Sequence, residues 1–179
     1  MGRYICKMDE EIACELEEIE RWENSRIAQF RLKRTRRFLS ELRYKEAKKW
    51  LIGRSIDIGA EYNHKYFDVQ CDIRGDNGFK KEDVQDLTFK DNSFDTSCCM
   101  EVLEHVIDPV SGIRELIRIT KKRLIICVPN EPWFSLARLS WNKLHLWAIT
   151  PKLIEYMIGR KAVVNKVFWI RWRFMVFDL

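Results

Sequence analysis

The run Arg123-Leu124-Ile125-Ile126-Cys127-Val128-Pro129 limits the fold most strongly. Leu124 through Val128 are all apolar. A strand with one wet face alternates apolar and polar residues. A uniform one is covered on both faces, as in a parallel sheet flanked by helices. The residues before it agree. Asp108 is suited to cap a helix and Pro109 to occupy its first position. Ile113, Leu116 and Ile117 then share one helical face. Helix followed by buried strand is half of a βαβ unit.

The rest of the chain fits the same plan. Strands are expected at 55–59, 66–73, near Glu82–Gln85 and at 94–101. Only AEYNHK joins the first two, where a parallel crossover takes about a dozen residues or more. The first crossover helix is therefore a single turn or absent. Thr150 and Pro151 open another helix that ends near Gly159. The tail AVVNKVFWIRWRFMVFDL reads as two strands or a long hairpin. Residues 8–52 read as helical, with Ile12, Leu16, Ile19 and then Phe38, Leu39, Leu42 at helical spacing and Gly53 as a stop. The expected architecture is α/β: a mainly parallel sheet with an antiparallel C-terminal hairpin, over 53–179. A helical extension or lid precedes it, over 1–52.

Totals exclude several classes. Hydrophobic residues at 46% and charged residues at 33% are inconsistent with a disordered chain. No apolar run approaches the roughly 20 residues of a membrane span. The acid-rich start, MDEEIACELEEIE, does not read as a signal peptide. The six cysteines form no C-x-x-C pair, so no metal site is expected. Cys98, Cys99 and Cys127 lie in apolar runs and read as buried thiols, which fits a cytoplasmic protein. The net charge of +5 permits an anionic partner without requiring one. The basic stretch RLKRTRRFLSELRYKEAKK is either a phosphate-facing surface or a solvated helix face.

In open α/β sheets ligands bind outside the carboxyl ends of the strands. The first strand ends at Asp57-Ile58-Gly59, where a glycine lets backbone approach a ligand. The second ends at Cys71-Asp72-Ile73, where an acid can accept from ribose hydroxyls.

Downstream blocks sharpen this. Asp83-Val84-Gln85-Asp86-Leu87-Thr88-Phe89, Asp91-Asn92-Ser93-Phe94-Asp95, Glu101-Val102-Leu103-Glu104-His105-Val106 and Val128-Pro129-Asn130 follow in order. HLWAITPKLIEYMI, residues 145–158, is then similar to an H-x-x-x-x-T-P-x-x-L helix start. Together these resemble the class I S-adenosylmethionine-dependent methyltransferases of the small-molecule, type 11 kind, over residues 54–179. The resemblance implies a Rossmann-like sheet and S-adenosylmethionine as cofactor. It implies that Asp57, Gly59 and Ala60 form the first cofactor segment, with Asp72 and Ile73 at the ribose. Asp83 and Val84 would meet the adenine. Met100, Glu101 and Leu103 would line the pocket. Glu104 and His105 would sit near the transferred methyl. Histidine ordinarily titrates near neutral pH, which makes His105 the candidate base and Glu104 the second.

Plainer roles stand beside these. Asp57 and Asp95 could serve only backbone donors, Asp72 and Asp83 could be loop acids, and His105 could be a packed histidine. Trp133, Phe134, Trp141 and Trp147 could be core or lid packing instead of a substrate cage. Three departures from the family pattern are visible. Glu61 replaces the second loop glycine and would crowd and repel the cofactor carboxylate. Thr88 replaces a proline. Lys121-Lys122-Arg123 replaces the K-P-G-G turn before the fifth strand. The expected activity is methyl transfer to a small or lipid-like acceptor. The alternative is a non-catalytic methyltransferase-like domain that binds a partner protein. A nucleic-acid methyltransferase comes third, because EVLEHV stands where base aminomethylases carry [ND]-P-P-[YF].

Overall fold

The structure is a computed structural model, which describes residues 26–63, 65–76, 78–130, 145–168 and 172–179. The chain divides into two compact units, with the boundary between Lys45 and Glu46. The expected helical residues before 26, and the aromatics Trp133, Phe134 and Trp141, lie outside the described residues. Helix α1 spans Arg26–Lys48. No helix among the described residues is long and apolar enough to cross a membrane.

Unit 46–179 holds one seven-stranded sheet. Its strands are β1 (Ser55–Ile58), β2 (Val69–Asp72), β3 (Lys80–Lys81), β4 (Phe94–Met100), β5 (Thr120–Pro129), β6 (Val164–Phe168) and β7 (Trp172–Asp178). Their spatial order is β3-β2-β1-β4-β5-β7-β6. Pairs from β3 through β5 are parallel; β5 with β7, and β7 with β6, are antiparallel. The expected mainly parallel sheet with an antiparallel C-terminal hairpin is what forms.

The helices start where local chemistry dictates. Helix α2 spans Pro109–Ile119, and the Asp108 carboxylate accepts from the N–H groups of Val110 and Ser111. Helix α3 spans Pro151–Ile158, capped by the Thr150 hydroxyl and closed by Gly159 at φ 74°. Both caps satisfy N–H groups that have no partner within their helix. Between β1 and β2 the described residues form only bends and one turn, so the first crossover has no helix there.

Two expectations are corrected. The third strand lies at Lys80–Lys81, not at Glu82–Gln85. The Asp83 carboxylate accepts from the Gln85 N–H at 2.9 Å, a local turn that competes with strand pairing. Residues 121–123 are not a turn but part of β5. Thr120 is already extended (φ −100°, ψ 131°), and its N–H closes α2 on the Ile117 carbonyl. The chain therefore passes from helix to strand with no glycine.

The core fills the faces of β1, β4 and β5. Ile56, Ile58, Leu124 and Ile126 from the sheet pack with Ile113 and Leu116 of α2 and Ile154 of α3. Each such burial stabilises by roughly 1.5–3 kcal/mol. Leu124→Ala alone would cost about 2–5 kcal/mol, since the cavity it leaves closes only partly.

Candidate functional site

Order along the sheet reverses between β1 and β4, the switch point at which α/β sheets open a crevice. Register brings Ile58 level with both Cys71 and Cys99, so the strands end together on one edge. A cavity of about 240 Å³ lies there. Its lining comprises Ile58 and Gly59 at the end of β1, Asp72 and Ile73 at the end of β2, Glu82, Asp83 and Val84 after β3, and Glu101, Val102, His105 and Val106 after β4.

Seven of the expected residues thus meet at one cavity: Gly59, Asp72, Ile73, Asp83, Val84, Glu101 and His105. The other five, Asp57, Ala60, Met100, Leu103 and Glu104, are buried and do not line it.

Each acid is held by neighbours in sequence. Asp72 Oδ1 accepts from the Arg74 N–H at 2.9 Å and from Arg74 Nε at 2.8 Å. Asp83 accepts from both the backbone and side-chain nitrogens of Gln85, and Gln85 Oε1 accepts the Asp108 N–H at 2.8 Å. Gln85 thereby ties Asp83 to the start of α2. Glu82 accepts from the Thr88 N–H at 2.9 Å and the Thr88 hydroxyl at 2.5 Å, and it pairs with Lys80. Burial works to raise the Glu82 pKa, but the bonds from Lys80 and Thr88 outweigh it and hold it below the usual carboxylate value.

Backbone approach comes from Gly59, at φ 82°. Its N–H and that of Ala60 both donate to the Cys71 carbonyl at 2.9 Å. These two bonds hold the chain leaving β1 against the end of β2. On the opposite wall Glu101 holds φ 59°, a conformation that costs a non-glycine residue about 1–3 kcal/mol. Such strain concentrates at ligand sites.

A polar group stands beside the cavity. Glu104 Oε1 lies 3.9 Å from His105 Nε2. The rings of His105 and His145 meet edge to face, with centroids 4.8 Å apart. The segment carrying His145 is fastened to this loop. Leu146 and Trp147 donate their N–H groups to the Glu104 carbonyl, and Trp147 Nε1 donates to the Val106 carbonyl at 2.9 Å.

Among the described residues the thiols offer no exposed nucleophile. Cys71, Cys98, Cys99 and Cys127 are buried. Burial, reinforced by the fields of Asp57 and Glu82, pushes the Cys71 pKa up to about 12. Burial and then Glu104 push Cys99 up as well.

Residues 56–128 match a family profile described as a methyltransferase domain. A demethylmenaquinone methyltransferase of Clavibacter sepedonicus is 34% identical over 79 residues, covering 43% of this chain and 32% of that protein. The chain therefore spans about a third of that relative's length. Among solved structures, a SAM-dependent methyltransferase from Archaeoglobus fulgidus superposes with a TM-score of 0.56 at 18% identity, covering 69% of this chain and 67% of that one. One from Aquifex aeolicus gives 0.51 at 12% identity, covering 74% and 87%. At these identities the likeness is one of fold.

Within the matched residues, sequence reasoning passed over Ile58, Glu82, Val102 and Val106 as cavity residues. Val102 and Val106 belonged to the E-x-L-E-H-V block, and that block is the signal that could have found them. Glu61, expected to crowd the cofactor, is exposed and does not line the cavity.

Proposed function

We propose that this chain is an S-adenosylmethionine-dependent methyltransferase acting on a small or lipid-like acceptor. The observation that carries the reading is the convergence of Asp72, Glu82, Asp83 and Glu101 on one cavity at the switch point of the sheet. When bound, the cofactor supplies a methyl group on a cationic sulfonium, already provided with its leaving group. An acid-lined cavity suits such a cation, since low-dielectric walls focus the field of the carboxylates. The residues present therefore fit the cofactor.

Asp72 would hold the ribose hydroxyls through the lone pairs left by Arg74. Asp83, fixed by Gln85, would take the adenine amino group beside Val84. Gly59 would let the backbone close over the methionine end. The domain's work is orientation and exclusion of water. Where the acceptor carries a proton, the Glu104/His105 side of the cavity would remove it.

The lipid-like acceptor rests on the surface next to His105 and His145. Ile107 is 80% exposed, Leu146 56% and Trp147 46%. Apolar side chains grouped on a surface mark a binding region more often than they occur by chance. The relative named for demethylmenaquinone supports an acceptor of that kind.

The reaction is tested by incubating the protein with methyl-labelled S-adenosylmethionine, a panel of hydroxylated quinols and small phenols, and separately RNA and DNA. Label is expected in the organic phase with the unaltered chain and not with Asp83→Ala. Label confined to nucleic acid, or to no acceptor at all, contradicts the reading.

A further inference from the structure

We infer that Glu104, His105 and His145 form a binding site for a divalent transition-metal ion at the acceptor side of the cavity. One ligand atom from each of the three lies within 4.8 Å of the others. Glu104 is buried, His105 is exposed at the cavity wall and His145 is half-buried. Two imidazoles and one carboxylate are the donor set of catalytic zinc sites and of non-haem iron sites, and both leave positions open for a substrate.

The site is built from two distant parts of the chain, yet the backbone ties them together. Glu104 and His105 follow β4, in a turn closed by the His105 N–H on the Val102 carbonyl at 2.9 Å. His145 arrives 40 residues later in sequence and is held against that turn. The Leu146 N–H donates to the Glu104 carbonyl at 2.8 Å, the Trp147 N–H to the same oxygen at 3.3 Å, and the Trp147 indole to the Val106 carbonyl. The Glu104 backbone thus anchors the segment that delivers the third ligand, while its carboxylate supplies the first.

The geometry requires a closure. In a tetrahedral site, metal–nitrogen and metal–oxygen bonds of about 2.1 Å place ligand atoms about 3.4 Å apart. The atoms lie within 4.8 Å of one another, so metal binding draws them together by up to about 1.4 Å. The exposed His105 and half-buried His145 side chains are the ones that would move, since Glu104 is buried. Oxygen-seeking ions such as Mg²⁺ prefer carboxylates, carbonyls and water to paired imidazoles, so Zn²⁺ and its first-row neighbours are the expected class. Sequence reasoning expected no metal, because it looked for paired cysteines and could not place His145 beside His105.

The metal's role in the reaction, unlike its binding, rests on the methyl-transfer reading. An acceptor hydroxyl at the open positions would lose its proton to solvent at lower pH than in water, as metal-bound water does. His105 would then serve as a ligand and not as the free base.

The test is a calorimetric titration of chelator-treated full chain with Zn²⁺, with Mg²⁺ in parallel. Visible absorption of added Co²⁺ gives a second readout. The expected result is one Zn²⁺ per chain with a Kd of about 1 μM or tighter. His145→Ala and Glu104→Gln should each weaken binding by about tenfold or more, and Mg²⁺ should give no heat. His145→Ala removes a half-buried side chain, and unchanged circular dichroism would confirm that it still folds. No zinc binding at millimolar metal, or equal cobalt spectra from the unaltered chain and His145→Ala, overturns the site. Neither cofactor nor acceptor is present, so this outcome is independent of whether the cavity binds S-adenosylmethionine.

Discussion

A Cβ added to Gly59 would lie 2.1 Å from Cγ2 of Val102, across the floor of the cavity. Gly59 also holds φ 82°, which an L side chain rarely adopts. Two separate costs therefore fall on Gly59→Ala, one of space and one of backbone. The expected loss of stability is about 2–4 kcal/mol, with cofactor affinity reduced. Adding Val102→Ala should recover only the steric part. A double-mutant cycle by urea unfolding measures the split. Full recovery would mean that the backbone conformation costs nothing.

Thr88 stands where the resembled family carries proline, and it gives Glu82 two hydrogen bonds. Thr88→Val removes the hydroxyl and should cost about 1–2 kcal/mol. Thr88→Pro removes the N–H as well and should cost more, although proline is the family's own residue. Chemical denaturation of the two variants ranks them. A proline variant as stable as the unaltered chain would show that Lys80 alone holds Glu82.

Gln85 links Asp83 to the cap of α2 through the Asp108 N–H. It touches no reacting atom, so it acts by positioning Asp83. Gln85→Ala should weaken S-adenosylmethionine binding by about three- to tenfold and stability by about 1 kcal/mol. Gln85→Glu, which keeps the acceptor but sets a second charge beside Asp83, should bind more weakly than the unaltered chain. Calorimetry on both variants separates positioning from a purely structural role, for which affinity would not change.

Away from the site, Glu46 supplies a pH-dependent contribution. Burial tends to raise its pKa, but Lys166 at 2.5 Å, Lys49 at 2.8 Å and the Trp50 indole outweigh that and bring it down to about 2. A carboxylate with a depressed folded-state pKa stabilises above its unfolded value and loses that stabilisation as pH falls through the folded one. Stability from Glu46 should thus be complete above about pH 5 and be lost between about pH 4.5 and pH 2. Glu46→Gln should lower the melting temperature at pH 7 and differ less from the unaltered chain at pH 3. An equal difference at both pH values would contradict the assignment.

Much of the fold was legible because its signals are local. Asp108 and Thr150 cap their helices, Gly159 closes one, and the uniform run Leu124–Val128 lies on a doubly covered strand. The misplaced β3 shows where local reading fails. Asp83 and Gln85 read as strand residues, but their side chains bond to each other and make a turn instead. Conserving chain order also kept Asp72, Asp83 and Glu101 identifiable, since each follows the end of a strand on the same sheet edge. Proximity across long separations was not legible. Nothing local to HLWAITP indicates that His145 meets His105, because the contact depends on how Leu146 and Trp147 bond to a turn far back in the chain. Glu61 differs in the other direction: its charge is plain in the sequence, while its exposure is seen only in the fold.

The central claim is that the cavity at the switch point holds S-adenosylmethionine through Asp72 and Asp83. Calorimetric titration of the full chain with the cofactor tests it most directly, beside Asp72→Ala and Asp83→Ala. The account predicts binding in the micromolar range that each variant weakens by about tenfold or more, as loss of a charge-assisted hydrogen bond does. No detectable heat up to millimolar cofactor, or equal affinity in all three proteins, would contradict it.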